Sequence, residues 1–323
     1  MLALIQITPL HWAGFIACIL FFLALDLGVL NRTAHVVKFK EALTWSIVWC
    51  VLAMLFAAAL VPLRGKEEAV EFVTGYIIEL SLSMDNVFVI ALIFTFFRVE
   101  QKFQHRVLFW GILGALVMRG AMILAGAALI QRFQWTLYFF GAFLLFTGVK
   151  MLFTDDEGVE PEKNPVIKLA RRWFPVAEGN HAEKFLIRLN GRRMITTLFL
   201  VLLMVETTDL IFALDSIPAI FAVTTKPFIV FTSNVFAILG LRSLYFVLAG
   251  AIDYFRYLKI GLSVVLIFIG AKMLLTPHGE SHQWFQVEIP TAVSLLVIAG
   301  ILTTAILASA IAAKREKRLT GHR

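Results

Sequence analysis

Acidic residues stand inside two long apolar stretches of this chain, where a membrane-spanning helix ordinarily carries none. A carboxylate at the centre of a bilayer costs roughly 2.5 to 3.5 kcal/mol, so five of them would cost on the order of 15 kcal/mol without partners. A bound cation is the obvious compensating partner. The first stretch carries Glu79 and Asp85, and the second carries Glu206, Asp209 and Asp215.

Amide and hydroxyl side chains accompany these acids and complete a set of oxygen donors. Hard divalent cations such as Mn²⁺, Mg²⁺ and Ca²⁺ prefer oxygen ligands, whereas Zn²⁺ and Cu²⁺ favour imidazole or thiolate. The seven histidines fall at span ends, in loops or in the C-terminal tail. We therefore predict a transported hard cation and no permanently bound cofactor. The predicted metal ligands are Glu79, Asp85, Asn86, Glu206, Asp209 and Asp215, with Ser83 and Ser216 in supporting positions.

Helical spacing divides the acids into two directions. In an unbroken helix, Asp85 lies about 120° from Glu79, and Asp215 lies about 180° from Glu206. Each outlying acid therefore meets a different group, or the helix is broken beside it. The residues that share one face are Glu79, Ser83 and Asn86 in the first stretch, and Glu206, Asp209 and Ser216 in the second.

Pro218 favours a break in the second stretch. A proline there removes the hydrogen bond to the carbonyl of Leu214 and clashes with that carbonyl. A freed carbonyl beside Asp215 is tolerated in a membrane only where it lines a cavity or meets a ligand. We therefore expect a kinked helix at Pro218, while the first stretch has no proline and the question stays open there.

Two arginines lie near the middle of apolar spans, too deep for their side chains to reach either interface. Arg119 and Arg242 must therefore face the protein interior. Five acids against two arginines leave a surplus of three negative charges, enough for one divalent cation and one proton. The alternative is that the arginines pair with acids only to fix helix packing. Asp26, near the inner end of the first span, is a candidate of second rank.

The composition identifies the elements that must position these residues. The chain has 323 residues, of which 60% are hydrophobic and 16% charged, far outside the range of soluble proteins. We predict an all-α polytopic membrane protein, because each span needs roughly 20 apolar residues. The nine predicted spans are 8–30, 41–62, 71–97, 106–130, 135–153, 194–222, 228–252, 257–275 and 289–313.

The net charge of +7 reflects topology and not nucleic-acid binding. Lysines and arginines concentrate in alternate connecting segments, as the positive-inside rule requires. We predict an external N-terminus and a cytoplasmic C-terminus. No nucleophile with a base, nucleotide loop or haem ligand pair suggests an enzyme, and the two cysteines, Cys18 and Cys50, fall separately in apolar spans. The oligomeric state is left open.

Three features recur in the same order along the chain and predict an internal repeat. Glu79-x5-Asp85-Asn86 aligns with Asp209-x5-Asp215-Ser216, Arg119 aligns with Arg242, and Phe146-x-Gly148-x-Lys150-Met-Leu aligns with Phe268-x-Gly270-x-Lys272-Met-Leu. Each copy has three spans, so the two copies cross the membrane in opposite senses. Inverted repeats of this kind are typical of secondary transporters.

The predicted organisation follows from the repeat. It comprises two N-terminal helices (1–62), a first three-helix repeat (71–153), a cytoplasmic loop with a short basic amphipathic helix (154–193), a second three-helix repeat (194–275), and a C-terminal helix with a basic tail (289–323).

The motifs resemble those of the TerC family of bacterial inner-membrane proteins. The matching segments are Glu79-Leu-Ser-Leu-Ser-Met-Asp85-Asn86, Glu206-Thr-Thr-Asp209 through Asp215-Ser-Ile-Pro218, and Ser233-Asn234 through Arg242, and the chain looks most like the Alx branch. The resemblance implies Mn²⁺ efflux with a LysE-like architecture, and a contribution to tellurium resistance and alkaline stress tolerance. Some members are described as redox modulators.

Two functions therefore remain open. The first is a transporter that exports Mn²⁺ or a similar hard cation, with protons as the exchanged ion. The second is a non-transporting membrane stress factor, redox modulator or scaffold that acts through its cytoplasmic loop. Carboxylates that release protons when they take a metal couple the two ions naturally, which favours the first.

Overall fold

The computed structural model describes residues 7–25, 39–154, 164–177, 184–189, 192–249, 257–277, 286–287 and 289–320. Asp26 and the acidic segment 155–162 lie outside the described residues. The helices are α1 (Pro9–Leu25), α2 (Phe39–Arg64), α3 (Lys66–Phe96), α4 (Gln101–Arg132), α5 (Thr136–Phe153), α6 (Pro165–Trp173), α7 (Thr197–Phe221), α8 (Pro227–Ala249), α9 (Leu258–Leu275) and α10 (Thr291–Thr320).

Eight of the helices in this described part are long and apolar enough to cross a membrane. The shorter apolar helix α1 coincides with the first predicted span. An all-α polytopic membrane protein is thus confirmed.

A small sheet was missed by the sequence analysis. Strands β1 (Val176–Ala177), β2 (Leu186–Leu189) and β3 (Arg192–Thr196) form it in the order β1-β3-β2. The sheet lies in the segment predicted as a loop with one helix. Its strands have two, four and five residues, too short for an alternating pattern to stand out from the surrounding polar sequence.

The long helices differ in how much of their surface the protein covers. In the apolar part of α8, 78% of the residues are buried, against 17% in α2 and in α10. Helix α8 packs on α3, and α7 packs on α3 and α4. The polar residues singled out in the sequence therefore lie on the central helices, where protein and not lipid surrounds them.

Helices α5 and α9 form the most extensive helix pair, and glycines set their separation. A Cβ added at Gly270 would lie 2.6 Å from the backbone nitrogen of Leu145, and one added at Gly148 would lie 2.9 Å from the carbonyl oxygen of Ser263. Small residues allow such close backbone approach between membrane helices. The recurrent Gly148 and Gly270 are thus explained by packing.

Helix α7 is not interrupted at Pro218. Helix α7 is helical throughout Thr197–Phe221, with Pro218 inside it. Pro218 lies within the last turn and a half, so the lost hydrogen bond affects only the end of the helix. Helix α3 is likewise helical throughout Lys66–Phe96. The acids are therefore presented by continuous helices, and their directions follow from helical spacing alone.

The predicted amphipathic helix is present as α6. The Asn164 side chain accepts hydrogen bonds from the backbone of Val166 at 2.9 Å and of Ile167 at 3.3 Å, which caps its first turn. Ile167 is buried and anchors α6 to the hydrophobic cluster around α7. Leu169 and Trp173 remain exposed, by 47% and 70%.

Candidate functional site

Arg119 of α4 is the centre of a buried polar cluster. Its side chain is 2% exposed. Its Nε donates to Asp209 Oδ2 at 3.0 Å and its Nη2 to Asp209 Oδ1 at 2.8 Å, a bidentate pair. Its Nη1 donates to Glu79 Oε1. Glu79 and Asp209, which the repeat aligns with each other, therefore both bind one guanidinium.

Amides and hydroxyls complete the cluster. Asn86 Nδ2 donates to Asp209 Oδ1 at 2.7 Å, and Asn234 Nδ2 of α8 donates to Glu79 Oε2 at 3.1 Å. All four carboxylate oxygens of Glu79 and Asp209 thus accept a hydrogen bond from the protein. The remaining contacts are Ser83 Oγ to Glu79 Oε1 at 3.5 Å, and Arg119 Nη1 to Ser216 Oγ and Asn234 Oδ1, both at 3.2 Å.

A cavity of about 20 Å³ adjoins this cluster. Asn86, Asp209 and Arg242 line it together with apolar residues of α3, α4, α7 and α8. The volume is sufficient for an occupant the size of a water molecule. Asn86 is 1% exposed, and its Oδ1 has no hydrogen-bond partner among the described residues. Arg242 faces the protein interior, as the sequence analysis predicted.

Glu206 lies one helical turn before Asp209 and faces α4. A Cβ at Gly114 would collide with its carboxylate, so the absence of a side chain there makes the space that the acid fills. Its Oε2 is buried and has no hydrogen-bond partner in the described part of the chain. Glu206 and Asn86 therefore each supply one unsatisfied oxygen near the Arg119 cluster.

The second acid of the later motif points away from the cluster, as helical spacing predicted. Asp215 forms a hydrogen bond with the Thr147 side chain of α5 and interacts electrostatically with Lys150. It is partly exposed, and Asp85 is partly exposed as well. The structure thus brings together Glu79, Ser83, Asn86, Arg119, Asp209 and Ser216, and places Asp215 in a separate environment.

The predicted ligands do not form a ready-made metal site. Within the described ranges, no group of three or more His, Cys, Asp or Glu residues is arranged to hold a metal ion. The physical reason is that Arg119 occupies the carboxylates that face each other. The guanidinium of Arg119 therefore pairs with both central acids and neutralises one of their two charges.

Asn234 is the main contributor that the site prediction omitted. It is 1% exposed and touches both Glu79 and Arg119. The signal that selected Asn86, an amide in the middle of an apolar span, applies equally to Asn234. Thr147 and Gly114 carried no comparable signal, because a lone threonine or glycine is common in membrane helices.

These features define a polytopic helical membrane protein with a charge-paired polar centre shared by α3, α4, α7 and α8. The chain belongs to the integral membrane protein TerC family, whose family model matches residues 64–317.

Similar proteins are found in several bacteria. An uncharacterized membrane protein of Myxococcus xanthus, STKORF319, is 53% identical over 94% of this chain and 93% of its own length. A protein of Salmonella typhi named Alx, described provisionally as a membrane-bound redox modulator, is 48% identical over 97% of this chain and 98% of its own. Its Escherichia coli K12 namesake is 48% identical over 91% and 92%. No solved structure matches the chain significantly.

Proposed function

We propose that this protein is a secondary transporter in the bacterial inner membrane that exports a hard divalent cation, with Mn²⁺ as the first candidate, in exchange for protons. The observation that carries the proposal is the meeting of Glu79 and Asp209, from α3 and α7, beside a cavity at the centre of the helix bundle. Buried acids of this kind in membrane helices are characteristic of ion pathways.

The donor chemistry favours a hard cation. The side chains at the cluster and cavity offer carboxylate, amide and hydroxyl oxygens from Glu79, Asn86, Asp209, Ser216 and Asn234. Oxygen ligands suit Mn²⁺, Mg²⁺ and Ca²⁺. Export and manganese in particular rest on the resemblance of the motifs to those of the family.

Proton exchange follows from the same carboxylates. A carboxylate must be deprotonated to bind a metal and regains protons when the metal leaves. Asp215, partly exposed and bonded to Thr147, is suited to pass protons or cations between the centre and one membrane face. Asp85 is its counterpart in the first motif.

The packing of α5 on α9 supports the inverted repeat that alternating access requires. Aligning Lys150 with Lys272 makes Gly148 the counterpart of Gly270 and Gly141 the counterpart of Ser263. Gly148 closely approaches Ser263, and Gly270 closely approaches Gly141. The contact is therefore reciprocal, which a two-fold axis between the repeats would produce.

Metal flux in inverted membrane vesicles tests the proposal. Mn²⁺ uptake should accelerate when the vesicle interior is acidic and should collapse when the pH gradient is dissipated. Uptake that ignores the gradient would exclude proton exchange, and absence of uptake for Mn²⁺, Mg²⁺ and Ca²⁺ alike would exclude the transport function.

Variants of the outlying acids test the site. Asp85→Asn and Asp215→Asn should each reduce uptake to background while the protein still inserts into the membrane. Full uptake in both variants would contradict the assignment of these residues to the pathway.

A membrane-bound redox modulator is the second candidate, favoured by the names of the relatives. Cys18 of α1 and Cys50 of α2 are both exposed on the helix surface and are not joined in a disulfide. A variant with both cysteines replaced by alanine separates the candidates. The transporter should keep its metal flux and its stress phenotype, whereas a thiol-based modulator should lose the phenotype.

The scaffold version of this candidate acts through the cytoplasmic loop. Segment 164–196 contains α6 and the sheet, so its removal would disturb the fold. Replacing only residues 155–163 by a Gly/Ser linker of equal length is the sharper test. Transport should continue, whereas a scaffold that recruits partners through the acidic segment should lose its function.

A further inference from the structure

We propose that the Arg119 guanidinium is an internal counter-cation, which holds Glu79 and Asp209 in the resting state and must be displaced before a divalent cation binds them. The inference rests on the proposed transport function and specifies how its site is regulated. It assigns to Arg119 a role in setting metal affinity, beyond fixing the packing of the helices.

The geometry of the guanidinium matches the place a metal would take. Arg119 uses Nε and Nη2 for the two oxygens of Asp209, at 3.0 and 2.8 Å, and Nη1 for Glu79 Oε1. A divalent cation that bridged Glu79 and Asp209 would need the same oxygens. Because two positive groups cannot share that position at close range, metal and guanidinium compete for it.

The cluster also contains the oxygens from which an exchange can begin. Asn86 Oδ1 and Glu206 Oε2 are the buried acceptors near Arg119 to which the described structure gives no hydrogen-bond partner. Asn86 lines the cavity together with Asp209, to which its amide nitrogen donates a hydrogen bond at 2.7 Å. An incoming cation in the cavity can therefore meet the unsatisfied amide oxygen of Asn86 beside the Asp209 carboxylate that Arg119 holds.

A competing internal cation solves a physical problem of the transport cycle. Two buried carboxylates without a partner are strongly unfavourable in a membrane, so an empty site would either stay protonated or refuse to release its metal. Arg119 pairs with both Glu79 and Asp209 once the cargo has left and neutralises one of their two negative charges. It lowers metal affinity and makes release possible.

The test measures Mn²⁺ binding by purified, detergent-solubilised protein, using titration calorimetry. Arg119→Gln should bind Mn²⁺ at least ten-fold more tightly than the unchanged protein, and Arg119→Lys should lie between the two. Arg64→Gln is the matched control, because it removes one positive charge that pairs with Glu68 at 2.7 Å, about three helical turns before Glu79 in α3. Its affinity should equal that of the unchanged protein.

A second measurement uses the guanidinium itself. In Arg119→Ala, added methylguanidinium should fill the vacated position and weaken Mn²⁺ binding competitively, whereas the unchanged protein should show no such competition. If Arg119 had only a structural role, methylguanidinium would leave Mn²⁺ binding by Arg119→Ala unchanged, or would improve it by restoring the fold.

Unchanged or weaker Mn²⁺ affinity in a monodisperse Arg119→Gln protein would overturn the proposal. If that variant does not fold, the charge-balanced double variant Arg119→Gln with Glu79→Gln is compared with Glu79→Gln alone. Tighter binding in the double variant supports the proposal, and equal or weaker binding overturns it.

Flux in vesicles keeps this inference separate from the transport function. Uptake by the unchanged protein together with unaltered affinity in Arg119→Gln would leave transport standing and remove the counter-cation role. Tighter binding in Arg119→Gln without any uptake by the unchanged protein would support the counter-cation role and remove the transport function.

Discussion

Helix α3 carries two clusters of paired charges that use the same chemistry in different surroundings. Near its N-terminus, Lys226 lies 3.4 Å from Glu68 and 3.1 Å from Glu71, and the Lys226 side chain is 41% exposed. Two turns further along, Glu79 pairs with Arg119, and the Glu79 side chain is fully buried. We name these the end cluster, which also contains Arg64 and Thr224, and the central cluster.

The two clusters differ in how far solvent reaches their charges. In the end cluster the acids Glu68 and Glu71 are buried, but water reaches and screens the cation Lys226. The central cluster has no such relief, so every carboxylate oxygen of Glu79 and Asp209 is paired with a protein donor. Such complete pairing of buried charges fits the proposed ion site and also a purely architectural role, and variants of the two clusters distinguish these roles.

The largest difference between the clusters is expected in transport. Glu79→Gln and Glu71→Gln make the same isosteric change eight residues apart in one helix. Glu79→Gln should reduce metal uptake in vesicles more than ten-fold, because it removes a cargo ligand. Glu71→Gln should stay within about two-fold of the unchanged protein. Equal losses in both variants would erase the functional distinction between the clusters.

Asn234→Leu sharpens the comparison through stability. The substitution leaves Glu79 Oε2 without the 3.1 Å hydrogen bond from Asn234, and an unsatisfied buried acceptor costs roughly 1 to 3 kcal/mol. The free energy of unfolding, measured by denaturant titration in detergent, should fall by about this amount. Thr224→Val, which removes the 2.9 Å bond to Glu71 at the end cluster, is the matched control and should cost less.

Gly270→Ala tests the helix pair that frames the central cluster. Its Cβ would lie 2.6 Å from the backbone nitrogen of Leu145, and overpacking of this kind costs typically about 1 to 3 kcal/mol. Gly240→Ala is the control, since its Cβ would meet Trp49 at an ordinary 3.7 Å. Thermal unfolding in detergent should separate the two variants, and equal midpoints would refute the tight contact.

The smallest effect is expected at Lys226. Lys226→Gln should change the free energy of unfolding by less than about 1 kcal/mol at low salt, because the lysine side chain is 41% exposed. Its buried partners Glu68 and Glu71 keep hydrogen bonds from Arg64 and Thr224. The difference should vanish at 1 M salt, where the screening length falls to about 3 Å. A persistent effect at high salt would mean that the end cluster behaves as the central cluster does.

The sequence predicted the membrane class and the inward direction of Arg119, because hydropathy and buried charge are local properties. Eight of the nine predicted spans correspond to helices of the described residues that are long enough to cross a membrane, and the first corresponds to the shorter helix α1. Helical spacing also separated Asp215 from Asp209. Local spacing does not reveal which helices meet, so the joint pairing of Glu79 and Asp209 with one arginine required the structure. Helix α7 runs through Pro218 without interruption, because the proline stands near the helix end, and the kink expected there stays a prediction.

The pairing of Arg119 with both acids also changed the predicted metal site. The sequence presented the acids as ligands awaiting a cation, and charge counting set the arginines apart as partners of the surplus. In the structure one arginine already holds the two acids that face each other. Asn234 was not predicted as a site residue because its span, 228–252, contains no acidic residue.

The small sheet has a mechanical consequence for the helix that carries Asp209. Strand β3 ends at Thr196 and α7 begins at Thr197, with the Thr196 side chain accepting a hydrogen bond from Phe199 at 3.3 Å. No slack residue separates strand from helix. Asp209 lies about three helical turns beyond this junction. A displacement of the sheet would therefore move α7, and with it the Asp209 carboxylate of the central cluster.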